Sequence, residues 1–175
     1  MANTRGAPAA DRSTPAADRD ALIKGLQEDL AREYKAIIQY VIFSQVLDTA
    51  RYMSIAGQLA LHAHQELDHA LAVARQLDYL GAYPVHEPEP VQVSEKNEDM
   101  LRLDLEAEDE TIREYRERIG QAEALGEVAL AETLRGIVRQ EQDHQIDLAT
   151  ALGVVPDERK HARSGRAGRG ARTGA

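Results

Sequence analysis

The chain has 175 residues, a formal net charge of −9, 43% hydrophobic and 4% aromatic residues, and neither cysteine nor tryptophan. That length suits one domain with a sizeable core, and aliphatic rather than aromatic content favours helix packing over a β-sandwich. The lack of cysteine excludes disulfides, zinc ribbons and iron–sulfur or rubredoxin modules, and the lack of an apolar run near 18 residues or of a signal-peptide core leaves a soluble, cytoplasmic protein as the expectation.

Residues 1–19 are rich in Ala, Pro, Ser and Thr without apolar periodicity and read as a flexible N-terminal arm. Helix A starts between Pro15 and Asp20 and ends near Asp48 or Thr49. Its apolar stripe is Leu22, Leu26, Leu30, Ile37, Tyr40, Ser44 and Leu47, with Glu33 filling the gap. Helix B, capped by Ser54 and closed by Gly81, carries Ile55, Leu59, His62, Glu66, His69, Val73, Leu77 and Leu80 on one stripe. Residues 82–94 hold three prolines and cannot be helical throughout. They are long enough to travel the length of a helix, which favours a crossover that sets B and C parallel over a simple hairpin.

Helix C begins at Ser94 and continues to about Leu125, with Glu108 on the stripe Leu101, Leu105, Ile112, Tyr115, Ile119 and Ala122. Helix D runs from near Gly126 to Gly153 with the stripe Leu130, Leu134, Ile137, Glu141, His144, Leu148 and Leu152. Four long helices with short A–B and C–D connections make an all-α four-helix bundle over residues 20–153. Residues 154–175 form a basic, Gly/Arg-rich tail read as disordered. The charge is divided accordingly: residues 21–158 carry 12 basic against 27 acidic side chains, whereas six Lys or Arg and no acid follow from Arg159 onward. An anionic body disfavours nucleic acid, although the tail offers a contact for DNA or a shell protein.

Two tetrads stand out, Glu66-Leu67-Asp68-His69 and its echo Glu141-Gln142-Asp143-His144. Each sets a carboxylate and an imidazole at i and i+3, hence on one helix face. Such a spacing arises about once by chance in a chain of this composition. A third match, Glu158 to His161, is read as that accident. The first two differ because they fall on apolar stripes. Glu33 and the first tetrad lie about equally far from the A–B turn, as do Glu108 and the second tetrad from the C–D turn, so six ligands converge at mid-bundle. Four buried carboxylates would cost several kcal/mol each unless neutralised, and no Lys or Arg lies on the stripes. Two divalent cations supply the missing charge, and the mixed oxygen and imidazole set suits iron or manganese and, less specifically, zinc.

With Glu33-Tyr34-Lys35-Ala36-Ile37-Ile38-Gln39-Tyr40, Leu101 to Glu108 and both tetrads, the chain resembles the ferritin-like family, and within it the bacterioferritins, over about residues 20–152. The resemblance implies a ferroxidase that oxidises Fe(II) with O2 or H2O2 for iron storage or detoxification, with two iron ions per subunit. It implies that Glu66 and Glu141 bridge the metals, that Glu33 with His69 and Glu108 with His144 are terminal, and that Tyr40 is the tyrosine near the site. The position of the family's haem-ligating methionine is Leu67, so haem is not expected, and the C-terminal segment lacks the apolar residues of the fifth helix of ferritin cages. The residues alone leave two alternatives open: a dinuclear peroxidase, catalase or other oxidase, and a DNA- or shell-associated protein in which the metals only stabilise the bundle. His62 reads as a satisfied core histidine, and His64 and His86 as surface residues. Apolar residues on the outward faces of A and B (Ile38, Val41, Ile42, Ala60, Leu61, Leu71) predict a homo-oligomer, a dimer at least.

Overall fold

The computed structural model describes residues 15–155, and within them four helices in order: α1 (Pro15–Val46), α2 (Met53–Tyr79), α3 (Asn97–Leu125) and α4 (Val128–Leu152). The bundle expected from the stripes is present, with small shifts at its ends. Residues 15–19, read as arm, are the first turns of α1, while residues 1–14 and the basic tail from 156 lie outside the described residues. Ser54 does not cap α2: Tyr52 holds that position with no side-chain cap bond. The start of α3 falls at Asn97 rather than Ser94, and α4 starts at Val128 rather than Gly126. The C-terminal signals hold, since Gly126 and Gly153 take the left-handed conformation that ends α3 and α4.

Helix α1 packs on α2 and on α3, and α4 on α3 and on α2. The direction of α3 follows from its ends. Asn97 bonds the Asp48 carboxylate at 2.6 Å, and Arg118 reaches Asp29 at 3.1 Å, so α3 runs antiparallel to α1 and parallel to α2. The connection after α2 is therefore the expected crossover, laid along α1 as a strap. Val85 N–H donates to Gln27 at 2.7 Å, Glu89 N–H to the Ala31 carbonyl at 2.9 Å, and Gln92 N–H to Gln39 at 3.2 Å. Its exposed backbone thus finds partners on the helix it covers.

Two apolar clusters fill the bundle. One, near the α3–α4 turn, is built on Leu22, Leu26, Leu30, Val73, Leu77 and Leu134. The other, near the α1–α2 turn, is built on Tyr40, Phe43, Leu59, Met100, Leu101 and Leu148. Each buried leucine contributes about 1.5–3 kcal/mol. Phe43 is fully buried although it falls off the expected stripe, because α1 is covered by α2, α3 and the strap and so buries more than one face.

A candidate dinuclear metal centre

Between the apolar clusters lies a polar layer, and all six expected ligands are in it. Glu33, Glu66, His69, Glu108, Glu141 and His144 are each buried, none more than 3% exposed. Their donor atoms form two overlapping groups, Glu33, Glu66, His69 and Glu141, and Glu66, Glu108, Glu141 and His144, with all atoms in a group within 4.8 Å of one another. Glu66 and Glu141 belong to both. His69 Nδ1 lies 2.9 Å from Glu66, 3.1 Å from Glu141 and 3.7 Å from Glu33. His144 Nδ1 lies 2.9 Å from Glu66, 3.1 Å from Glu141 and 3.6 Å from Glu108.

The electrostatics of the layer are those of a site built for positive charge. Burial, reinforced by the neighbouring carboxylates, pushes Glu33 and Glu108 well above the usual carboxylate range. Burial would also lower the imidazoles, but their carboxylate contacts outweigh it, holding His69 far above its ordinary value and His144 up at about 12. For Glu66, burial is overcome by His144 and His69, and its carboxyl sits well below the usual range. A proton on each of Glu33, Glu108, His69 and His144 offsets the charge that two divalent cations would. The donor set fits such ions: buried Glu33 Oε2, Glu66 Oε1, both Glu141 oxygens and His144 Nδ1 have no hydrogen-bond partner outside the six residues themselves, and oxygen with imidazole nitrogen suits iron or manganese.

Four further residues hold these ligands, and three of them were not picked out from the sequence. Each imidazole turns Nδ1 inward and Nε2 outward onto a glutamine, His69 onto Gln140 at 2.9 Å and His144 onto Gln65 at 2.8 Å. A glutamine Oε1 accepts only, so Nε2 carries the hydrogen and Nδ1 is left to bind. The fully buried Tyr40 donates its hydroxyl to Glu108, and Tyr115 donates likewise to Glu33. Burial, then the adjacent carboxylate, pushes both phenols well above their ordinary range, so both remain neutral donors. The signal that could have found Gln65, Gln140 and Tyr115 is a spacing: 33 and 108, 40 and 115, 65 and 140, 66 and 141, 69 and 144 all differ by 75.

His62 is buried against the layer, stacked on His144 with centroids 4.0 Å apart and edge-on to Tyr40. Its Nε2 meets Asp147 at 3.2 Å, while Nδ1 has no partner, so it is only half satisfied. Burial, then the neighbouring His144, lowers it to about 4 and keeps it neutral at pH 7. His64 and His86 are exposed, as expected.

No Lys or Arg stands on the four stripes, but three cations are buried beside them. Arg32, Lys35 and Arg118 are all buried. None forms an ion pair with the four site carboxylates among the described residues. Arg32 and Arg118 reach Asp29 at 3.0 and 3.1 Å, and Lys35 and Arg32 reach Glu89 of the strap at 3.5 and 3.8 Å. Burial lifts Asp29 somewhat despite its two guanidinium partners, and a Cβ at Gly25 would collide with that of Arg118. Between α1 and α3 a narrow cleft runs from Arg32, Lys35 and Thr111 inward to Glu33, Glu66, Glu108 and Glu141. Its free space of about 10 Å³ admits one water-sized molecule.

Comparison with known proteins agrees with this geometry. A family model described as the ferritin-like domain matches residues 23–157. A bacterioferritin of Desulfovibrio desulfuricans is 30% identical over 129 residues, 73% of this chain and 72% of that protein. A ferritin-like, diiron-carboxylate protein from Bacillus anthracis superposes with a TM-score of 0.74 at 32% identity, covering 77% of this chain and 97% of that one. The D. desulfuricans bacterioferritin crystal structure, described with its diiron site in different catalytic states, gives 0.73 at 25% identity over 81% and 83% of the two chains. Rhodobacter capsulatus bacterioferritin, 21% identical, shares the fold with a TM-score of 0.70 over 77% and 84%.

Proposed function

The chain belongs to the ferritin-like domain family, and from that premise we propose that it is a di-iron ferroxidase, oxidising Fe(II) to Fe(III) with O2 or H2O2 for iron storage or detoxification. The observation that carries this reading is the pair of overlapping donor groups sharing Glu66 and Glu141. In it, Glu66 and Glu141 would be shared between two iron ions, Glu33 and His69 would help hold one, and Glu108 and His144 the other. The bound pair supplies the electrons that reduce the oxidant.

The chain's own residues set the conditions for that transfer. The two apolar clusters exclude bulk water from the layer. Gln65 and Gln140 fix which imidazole nitrogen binds, and Tyr40 and Tyr115 orient the terminal carboxylates. Glu33, Glu108, His69 and His144 give up their protons as Fe(II) arrives.

Leucine at position 67 offers no ligand to haem iron, so the centre works without one in this reading. Exposed Ile38, Val41, Leu61 and Leu71 on α1 and α2 support a homo-oligomer, a dimer at least. None of the described helices is long and apolar enough to cross a membrane, and a cytoplasmic location is part of the proposal. Metal content, native mass and stopped-flow Fe(II) oxidation on one preparation test the whole. Iron retained at about two per chain, and a rapid phase lost in Glu66→Ala, is the expected result. Undiminished oxidation in that variant, or retained manganese with catalase activity, overturns it.

A further inference from the structure

We propose that Arg32 and Lys35 form a binding site for a small oxyanion, phosphate or carbonate in class, at the mouth of the cleft between α1 and α3. Both cations line that cleft. Arg32 is only 6% exposed, and its Nε has no hydrogen-bond partner. A buried guanidinium N–H without a partner is a donor awaiting an acceptor. Lys35, 9% exposed, has one ion-pair partner among the described residues, Glu89 at 3.5 Å, and Arg32 meets the same carboxylate at 3.8 Å. These distances are loose for charge-assisted bonds, which close to about 2.7–2.9 Å.

The two cations do not serve the ligand set. Every residue that binds or braces the proposed metals recurs 75 positions later, whereas the counterparts of Arg32 and Lys35 are Ala107 and Glu110. One arm of Arg32 is taken by Asp29 at 3.0 Å, which leaves its Nε and the Lys35 ammonium beside a cation site that positive charge does not serve. Glu89 shows what the pair accepts. It belongs to the strap, whose backbone is pinned by Glu89 N–H to the Ala31 carbonyl at 2.9 Å, so the carboxylate can swing out while the strap stays in place. An oxyanion taking its place would accept from Arg32 Nη2 and Lys35 Nζ, the atoms that now face Glu89, with the unpartnered Nε on the same guanidinium and the Thr111 hydroxyl close by in the cleft lining. The small free volume behind it confines the anion to the footprint of the Glu89 carboxylate, outside the four ligand carboxylates.

The inference stands apart from the iron chemistry, because it is tested on full-length protein treated with chelator. Inorganic phosphate and bicarbonate are titrated in separate arms by calorimetry into the wild type, Glu89→Gln and Lys35→Gln, with chloride as a control. Saturable binding is expected for at least one oxyanion and not for chloride. Glu89→Gln should bind about tenfold tighter, having lost the competing carboxylate, and Lys35→Gln about tenfold weaker. Which arm saturates identifies the anion. Equal affinity in wild type and Glu89→Gln overturns the proposal even if Lys35→Gln does not fold. So does absence of saturable binding in either arm, or competition by chloride at equal concentration.

Discussion

The α1–α2 half of the bundle and the α3–α4 half carry the same polar residues at the same depth, yet they treat one of them in opposite ways. Asp29 and Asp104 are 75 positions apart, and both are buried. Asp29 is held by Arg32 and Arg118. The positions matching those two arginines around Asp104 are Ala107 and Phe43, and its contact is instead Gln39 at 3.1 Å, with Oδ2 left unpartnered. Burial accordingly pushes the Asp104 carboxyl up to about 8. The repeated set, Glu, Tyr, Gln, Glu and His, is what two like ions would require of two halves. The unrepeated residues, Arg32, Lys35, Arg118 and His62, belong to the surroundings of the layer rather than to its ligands.

The largest expected effect tests the repeat itself. If Glu66 and Glu141 play equal parts, Glu141→Ala should remove metal retention and the rapid oxidation phase as completely as Glu66→Ala, exceeding the roughly 10–100-fold typical of outer partners. A variant that kept one tight ion would break the equivalence. Metal loading should also release protons. His69 and His144 are held protonated at pH 7 in apo-protein and must deprotonate to bind, and the raised carboxyls of Glu33 and Glu108 also favour their protons over a metal. Metal affinity should therefore rise with pH, and a pH-stat should record protons released as the divalent ions bind. Release of none would contradict the charge assignment.

Next in size is the contrast between the two aspartates. Asp29→Asn leaves two buried guanidiniums facing a neutral amide, at a cost of about 3–5 kcal/mol. Asp104→Asn should have the opposite sign. A carboxyl whose folded value is raised adds stability that is present below its unfolded value and lost as pH climbs through about 8. The amide removes that loss, so the variant should melt higher than wild type at pH 8 and no higher at pH 4. Chelator-treated protein followed by circular dichroism decides both, and two variants shifting together would show that the halves are electrostatically alike.

The contrast also marks what could be read in the sequence. The six candidate ligands and the crossover were legible because acids and imidazoles stood where a helical stripe called for leucine, and because thirteen residues are too many for a hairpin, while Tyr40 was singled out by the family resemblance. Arg32, Lys35, Arg118 and Asp29 lie off those stripes, where helical periodicity gives no sign of burial. They are buried because α1 is wrapped by α2, α3 and the strap, and the strap's path along α1 is a tertiary fact with no periodic signature. Gln65, Gln140 and Tyr115 were legible in principle, through the spacing of 75, but a glutamine beside a ligand has no meaning until the imidazole's outer nitrogen is seen to face it.

Those outer glutamines give the third effect. Gln65→Leu should loosen the ion on the His144 side, and Gln140→Leu the one on the His69 side, each by roughly 10–100-fold, measured by competition with a chromophoric chelator. If Gln140→Leu weakened the His144 side instead, the crosswise pairing would be wrong.

The smallest effect concerns the tyrosines, and it separates bracing from redox work. Phenylalanine keeps either ring and removes one hydroxyl, worth about 1 kcal/mol and so a few-fold in affinity. Because Tyr40 donates to Glu108 and Tyr115 to Glu33, Tyr40→Phe should weaken the ion shared with His144, and Tyr115→Phe the one shared with His69. Cobalt absorbance titrations resolve the two steps. Bracing alone predicts that both variants oxidise saturating Fe(II) at rates within a few-fold of each other. Both rings lie in apolar clusters, but that of Tyr40 also packs edge-on with His62 and His144. An oxidation rate that falls much further in Tyr40→Phe than in Tyr115→Phe would therefore assign the phenol of Tyr40 a part in electron transfer that the repeat does not share.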